Sequence, residues 1–247
     1  MLNIDFCSNL ISFVLYFYIT DMKNSGHSLI GQALSKYILG AVMVGLLLFL
    51  PAGSFQYWNA WVLMTALFIP MLAAGIVMLV YSPDLLRKRL SSKEREGEQK
   101  NVVGMAGLMF VAAFIIAGFD FRYGWTDMPS CIVWTATAVL ILSYLMYAEV
   151  MRENAWLSRT IEVQDNQKVV DSGLYGIVRH PMYSATILLF LSMPIVLGSL
   201  PSFAVMLIYI PLINARIKNE EKVLTEGLEG YVEYKKKVRW KVIPFIW

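Results

Sequence analysis

The chain has 247 residues, of which 57% are hydrophobic and 16% charged, with a formal net charge of +3; its mean hydropathy is +0.57. A soluble domain is about half apolar and a quarter charged, so a water-soluble globule is excluded, and so small a net charge argues against a nucleic-acid partner. Cys7 and Cys131, with His27 and His180, match no disulfide framework or metal-ligand spacing, and no metal is expected.

In chain order, Phe6 to Thr20 is apolar and aromatic but shorter than a span. It lacks a basic n-region and a cleavage site, which argues against a signal peptide. Residues 1–21 read as an upstream extension or an interfacial helix, and 1–31 as an N-terminal segment outside the bundle. About six apolar runs follow, measured against a span of roughly 20 residues. They are Tyr37 to Leu50, with Lys36 able to snorkel at its start, Trp58 to Tyr81, Val102 to Phe119, Cys131 to Val150, Tyr183 to Leu197 and Phe203 to Ala215. The last two are short and contain Pro194 and Pro211. Gly198-Ser-Leu-Pro201 links them tightly, which predicts a helical hairpin with Pro201 in the first turn of the return helix. The expected fold is all-α, a polytopic transmembrane helical bundle. Residues 32–160 hold the first four spans, and 161–247 the hairpin and a charged tail.

The basic residues divide the connections into two sets. Arg87, Lys88, Arg89, Lys93, Arg95 and Lys100 follow the second span, and Arg152, Arg159, Lys168 and Arg179 follow the fourth. The tail holds Lys222, Lys235, Lys236, Lys237, Arg239 and Lys241, whereas Pro51 to Tyr57 and the hairpin tip have no charge. With both ends cytoplasmic, all the basic segments fall on one side, as the positive-inside rule requires. Tyr231, Tyr234, Trp240 and Trp247, interleaved with Lys and Arg, suit a membrane interface.

Ionisable groups at the edge of hydrocarbon need partners or a task. Two such clusters flank the hairpin. The first is Gly173-Leu-Tyr-Gly-Ile-Val-Arg-His-Pro-Met-Tyr183. His180 precedes a proline and is expected to be extended, with Pro181, Met182 and Tyr183 opening a helix. The free N–H groups of that turn would attract an anion. The competing reading makes Gly173 to Gly176 a plain turn and His180 and Tyr183 interfacial anchors. The second cluster is Arg216, Asn219, Glu220 and Glu221. Arg216 and Glu220, four residues apart, share a helix face. They form either a surface ion pair or two separate ligand contacts, Arg to a carboxylate and Glu to a cation or ribose hydroxyl. Glu149 and Arg152 read as a structural pair. The Gly-x-Gly-x-x-Gly fingerprint of a soluble dinucleotide fold is absent.

Taken together, Gly173, Tyr175, Arg179, His180, Pro181, Tyr183, Arg216, Glu220, Glu221, Tyr231, Tyr234 and Pro244 resemble the signature of the isoprenylcysteine carboxyl methyltransferase family and its phospholipid methyltransferase relatives. The resemblance covers Glu162 to Trp247. It implies S-adenosylmethionine as methyl donor, in a cytoplasmic pocket over the hairpin, and makes 161–247 the cofactor-binding region. Carried over residue by residue, it places Gln164, Gln167, Lys168, Val169, Val170, Tyr175, His180, Pro181, Met182, Tyr183 and Glu220 at the cofactor. It makes Arg216 substrate-binding and puts Arg216 and Glu220 at the reacting centre. The implied acceptor is a membrane lipid, or a lipid-modified small molecule or peptide, with a carboxylate favoured. Three alternatives stay open: a phospholipid N-methyltransferase, an NADPH-dependent enzyme like the sterol reductases, and a non-enzymatic membrane protein.

Overall fold

The computed structural model describes residues 29–90, 97–154, 156, 157, 163, 164 and 166–247. The N-terminal segment through residue 28, expected to be an extension or interfacial helix, lies outside the described residues, as do 91–96 of the charged loop. Helices α1 (Leu29–Ala52), α2 (Trp58–Tyr81), α3 (Pro83–Leu90), α4 (Gly97–Tyr123) and α5 (Ser130–Glu153) come first. A 3-10 turn at Gly173–Gly176 precedes α6 (Pro181–Val196), α7 (Leu200–Met206), α8 (Tyr209–Gly227) and α9 (Tyr231–Lys237). Among the described residues no strand forms.

Among the described residues five helical stretches are long and apolar enough to cross a membrane: α1, α2, Gly104–Tyr123 within α4, α5, and α7 with α8 as one unit, Leu200–Gly227. Their outer faces carry large apolar side chains in the open, such as Val80 at 64%, Leu108 at 67% and Leu142 at 62% exposure. In water those faces would be a liability; in a bilayer they are the lipid surface. The fifth expected span departs from this pattern. Helix α6 has only 16 residues, roughly 24 Å, against a hydrocarbon thickness of about 30 Å. It lies inside the bundle against α5, α7 and α8, with Tyr183, Ser184, Ile187, Met193 and Val196 buried.

The hairpin forms as its prolines dictate. Ser199 caps α7, its Oγ accepting the Ser202 N–H at 3.2 Å, and Pro201 lies in the first turn. The return helix breaks at Leu207 and Ile208, where Ile208 N–H reaches Val205 O and Ile210 N–H reaches Leu207 O. Pro211 has no N–H to offer Leu207 O, so the chain tightens there before continuing as α8. Helix α1 starts at Leu29, earlier than the first apolar run. Lys36 does not snorkel alone: its Nζ donates to Leu90 O at 2.9 Å, tying α1 to the end of α3.

Polar side chains join the helices by reaching backbone carbonyls of their neighbours. Tyr37 Oη donates to Phe68 O, Tyr144 Oη to Leu67 O, and Ser202 Oγ to Ala113 O. At one end Tyr57 Oη donates to Leu197 O at 2.7 Å and Asn59 Nδ2 to Val196 O at 2.9 Å. Buried Asp120 there accepts from the N–H and the hydroxyl of Thr126, fixing the α4–α5 link. Gly118 lets α1 and α4 approach: a Cβ on it would stand 2.7 Å from Leu48 O. These contacts lock the end that carries few basic residues. The two polar clusters meet at the other end, beside the basic tail.

Candidate active site

The site begins at the turn before α6. Gly173 has φ +53°, and a Cβ there would collide with the Glu153 carboxylate. That carboxylate accepts the Leu174 N–H at 3.0 Å, so the end of α5 caps the 3-10 turn. Tyr175 is fixed from both sides: Asn154 Nδ2 donates to its hydroxyl at 3.0 Å, and Tyr234 Oη donates to its carbonyl at 2.7 Å. Burial, then the neighbouring Tyr175, raises the Tyr234 phenol well above its ordinary range, so it stays a donor.

His180 is extended (φ −127°, ψ 62°) and Pro181 opens α6, the geometry that a residue before proline favours. The expected free N–H groups of the first turn are fewer than sequence suggests, because Tyr183 N–H closes onto His180 O at 3.0 Å. The backbones of Arg179 and His180 pair with the tail, donating to Trp240 O and Lys241 O at 2.9 and 2.8 Å. Arg179, 8% exposed, puts Nε on Glu221 Oε1 at 2.8 Å and Nη1 on the carbonyls of Val238 and Arg239. The same Glu221 oxygen lies 3.3 Å from His180 Nε2, and the other lies 3.8 and 3.6 Å from Lys235 and Lys241. Glu221 therefore joins α8, the turn before α6 and the tail at one buried carboxylate.

Arg216 and Glu220 do share a face, and α6 meets it. The Tyr183 hydroxyl donates to Glu220 Oε2 at 2.5 Å and accepts from Arg216 Nε at 3.1 Å. Glu220 Oε1 is 3.8 Å from His180 Nδ1. The i,i+4 relation alone offered a surface pair; the structure puts the buried Tyr183 between the two. Glu149 and Arg152 form the expected structural pair, with two hydrogen bonds at 2.8 and 2.5 Å.

These elements line a partly open cleft. Gln167, Lys168, Val169, Val170 and Tyr175 line it on one wall. His180, Met182, Tyr183, Arg216 and Glu220 line it on another. Gln164 and Pro181 stand behind the lining. Gln164 Nε2 donates to Trp156 O at 2.6 Å and its N–H to Gln167 Oε1 at 2.9 Å, so it positions two residues that do face the cleft. Pro181 starts the helix that presents Met182 and Tyr183.

The cleft also contains residues that were not expected at the cofactor. Asn154, Trp156 and Leu157 come from the end of α5 and the following turn. Leu224, Leu228, Tyr231 and Tyr234 come from the end of α8 and from α9. The spacing Tyr-x-x-Tyr was visible as part of the family signature, but its direction was not. Tyr231 is buried to 4% exposure, yet its hydroxyl finds no partner among the described residues. An orphaned buried hydroxyl costs free energy unless a ligand satisfies it. Burial, then Glu221 and Glu220, raises its phenol, so it too remains a donor. Among the described residues no group of three or more His, Cys, Asp or Glu side chains is placed to hold a metal ion.

Over 93 residues, 36% of this chain, the sequence is 28% identical to a Delta(14)-sterol reductase of Methylotuvimicrobium alcaliphilum. The match spans only 22% of that relative's length. Residues 132–226 match the model of the isoprenylcysteine carboxyl methyltransferase (ICMT) family. The stretch from α5 to α8, which supplies most of the cleft wall, is therefore the part of the chain that is similar to the isoprenylcysteine carboxyl methyltransferase family.

Proposed function

We propose that this chain is an integral membrane methyltransferase that uses S-adenosylmethionine on a lipophilic acceptor, a carboxylate before an amine. The observation that carries this reading is the cleft in which Tyr183 bridges Arg216 and Glu220 beside His180 and the unpartnered Tyr231 hydroxyl. The residues suit the cofactor's chemistry. Lys168 and His180 match an α-carboxylate, Glu220 an ammonium or ribose hydroxyl, and Tyr175, Trp156 and Tyr231 an adenine face or a sulfonium. Gln167, Val169, Val170 and Met182 would complete the cofactor wall, with Gln164 and Pro181 supporting it. When bound, the cofactor supplies an electrophilic methyl group and leaves as a neutral thioether. Arg216 offers a planar fork to the acceptor carboxylate. That carboxylate is ionised at neutral pH and needs no general base. The aromatic walls exclude water from the reacting centre. The cleft shares its end of the bundle with Lys168, Arg179 and the basic tail, which supports a cytoplasmic opening.

The test is calorimetric titration of the full chain in detergent. S-adenosylmethionine and S-adenosylhomocysteine are expected to bind and NADPH is not. Ligand at a hundred times its Kd should add about 2.7 kcal/mol of stability. The sterol reductase likeness favours a second reading, and NADPH binding without S-adenosylmethionine binding would establish it over ours.

Tyr231→Phe separates a ligand contact from a packing residue. It should leave the ligand-free melting temperature unchanged or slightly raised, because an unsatisfied hydroxyl is removed. S-adenosylmethionine affinity should fall by about 0.5–1.5 kcal/mol, roughly two- to twelve-fold. Unchanged affinity would take Tyr231 out of the contact set.

A further inference from the structure

Phe245 and Ile246 stand 84% and 78% exposed. Phe245 does so on a left-handed backbone, φ +66°, a region disfavoured for a bulky L side chain. The turn is nonetheless closed by hydrogen bonds. The N–H groups of Lys241, Val242 and Ile243 all donate to Trp247 O, and those of Ile246 and Trp247 donate to Ile243 O. The Trp240 and Phe245 rings lie 5.6 Å apart. The fold thus holds two large apolar side chains outward, and an apolar medium must be within reach.

That medium is adjacent. Val242 is buried in the same core cluster as Tyr183, Ile187 and Ile217, and Ser184 Oγ donates to Val242 O at 2.6 Å. The turn is therefore fixed at the level where α6 enters the bundle. Immediately before it, Lys236, Lys237 and Arg239 are exposed, while Lys235 and Lys241 approach Glu221. Lys237 also meets Asp171 at 2.7 Å, an exposed pair that a stronger anion can displace. Basic side chains beside exposed aromatic and aliphatic ones suit an anionic bilayer surface.

We propose that residues 236–247 dock on an anionic lipid surface. Phe245 and Ile246 enter the interfacial layer, and Lys236, Lys237 and Arg239 meet lipid phosphates. Because Trp240 O and Lys241 O accept the Arg179 and His180 N–H groups, the docked segment holds the floor of the cleft in place. Each cation at the surface should shift the docked-to-free ratio about five-fold.

The experiment uses the full chain in nanodiscs, with Cys7→Ser and Cys131→Ser, and an environment-sensitive fluorophore on Phe245→Cys. One set of discs is phosphatidylcholine alone; the other adds phosphatidylglycerol. Blue-shifted emission, protected from aqueous iodide, is expected in the anionic discs. The shift should be lost with Lys236→Gln/Lys237→Gln/Arg239→Gln and weakened by salt. In the unlabelled chain, hydrogen exchange over 236–247 should slow in the same discs, which guards against an effect of the label. Water-like emission in both compositions, or an equal shift in both, overturns the proposal. A shift confined to discs holding two chains assigns the face to a second copy and also overturns it. No readout uses methyl transfer, so failure here leaves the methyltransferase reading standing, and the reverse holds.

Discussion

Glu221→Ala should cost the folded protein about 3–5 kcal/mol, the usual result of leaving a buried charge without its partner. Glu221 is 7% exposed and Arg179 is 8% exposed, so water cannot replace the lost contact. Arg179 would keep the carbonyls of Val238 and Arg239 but lose its counter-charge. Lys235 and Lys241 would lose theirs as well. The measurement is equilibrium unfolding of the purified chain in mixed micelles. Arg179→Met combined with Glu221→Leu should recover much of the loss, because an apolar pair of similar volume often replaces a buried ion pair at little cost. A loss under about 1 kcal/mol for Glu221→Ala would mark the contact as no stronger than a surface pair.

Arg216 is half-buried, so Arg216→Ala should lower kcat/KM for the best acceptor by roughly ten- to a hundred-and-fifty-fold, the equivalent of about 1.5–3 kcal/mol for hydrogen bonds to a charged group. S-adenosylmethionine affinity should fall far less. Glu220→Gln should show the opposite division, with the main loss in cofactor affinity. The Tyr183 hydroxyl touches both side chains, so the two effects should not add. Tyr183→Phe should reduce the coupling between them in a double-mutant cycle. Arg216→Lys should not rescue, because a point charge does not reproduce a bidentate fork. An exposed i,i+4 pair would give only about 0.3–0.5 kcal/mol. Full activity of Arg216→Ala on the best acceptor would end the role assigned to it. A preference for amines over acids across a panel of lipophilic acceptors would move the chain towards phospholipid N-methylation.

Much of this architecture could be read locally. Apolar runs of span length report burial in lipid directly, because each residue's transfer free energy depends on its own side chain. The start of α6 was equally legible, since His180-Pro181 is constrained by covalent geometry, and Pro201 and Pro211 mark where the hairpin turns and tightens. The residue types of the site stood out because charge at a membrane edge is costly wherever it occurs.

The pairings were a different matter. Spacing put Arg216 and Glu220 on one face but could not show that Tyr183, on another helix, lies between them. Arg179 and Glu221 are 42 positions apart, and no local period links two such residues. The short α6 looks like one more span in sequence, because an apolar side chain gives the same signal against lipid as against protein. Asn154, Trp156 and Tyr231 reach the cleft only because α5, α8 and α9 converge on it. Hydropathy and backbone preference act over a turn or a span; hydrogen bonds and ion pairs between distant segments exist only once the helices have packed.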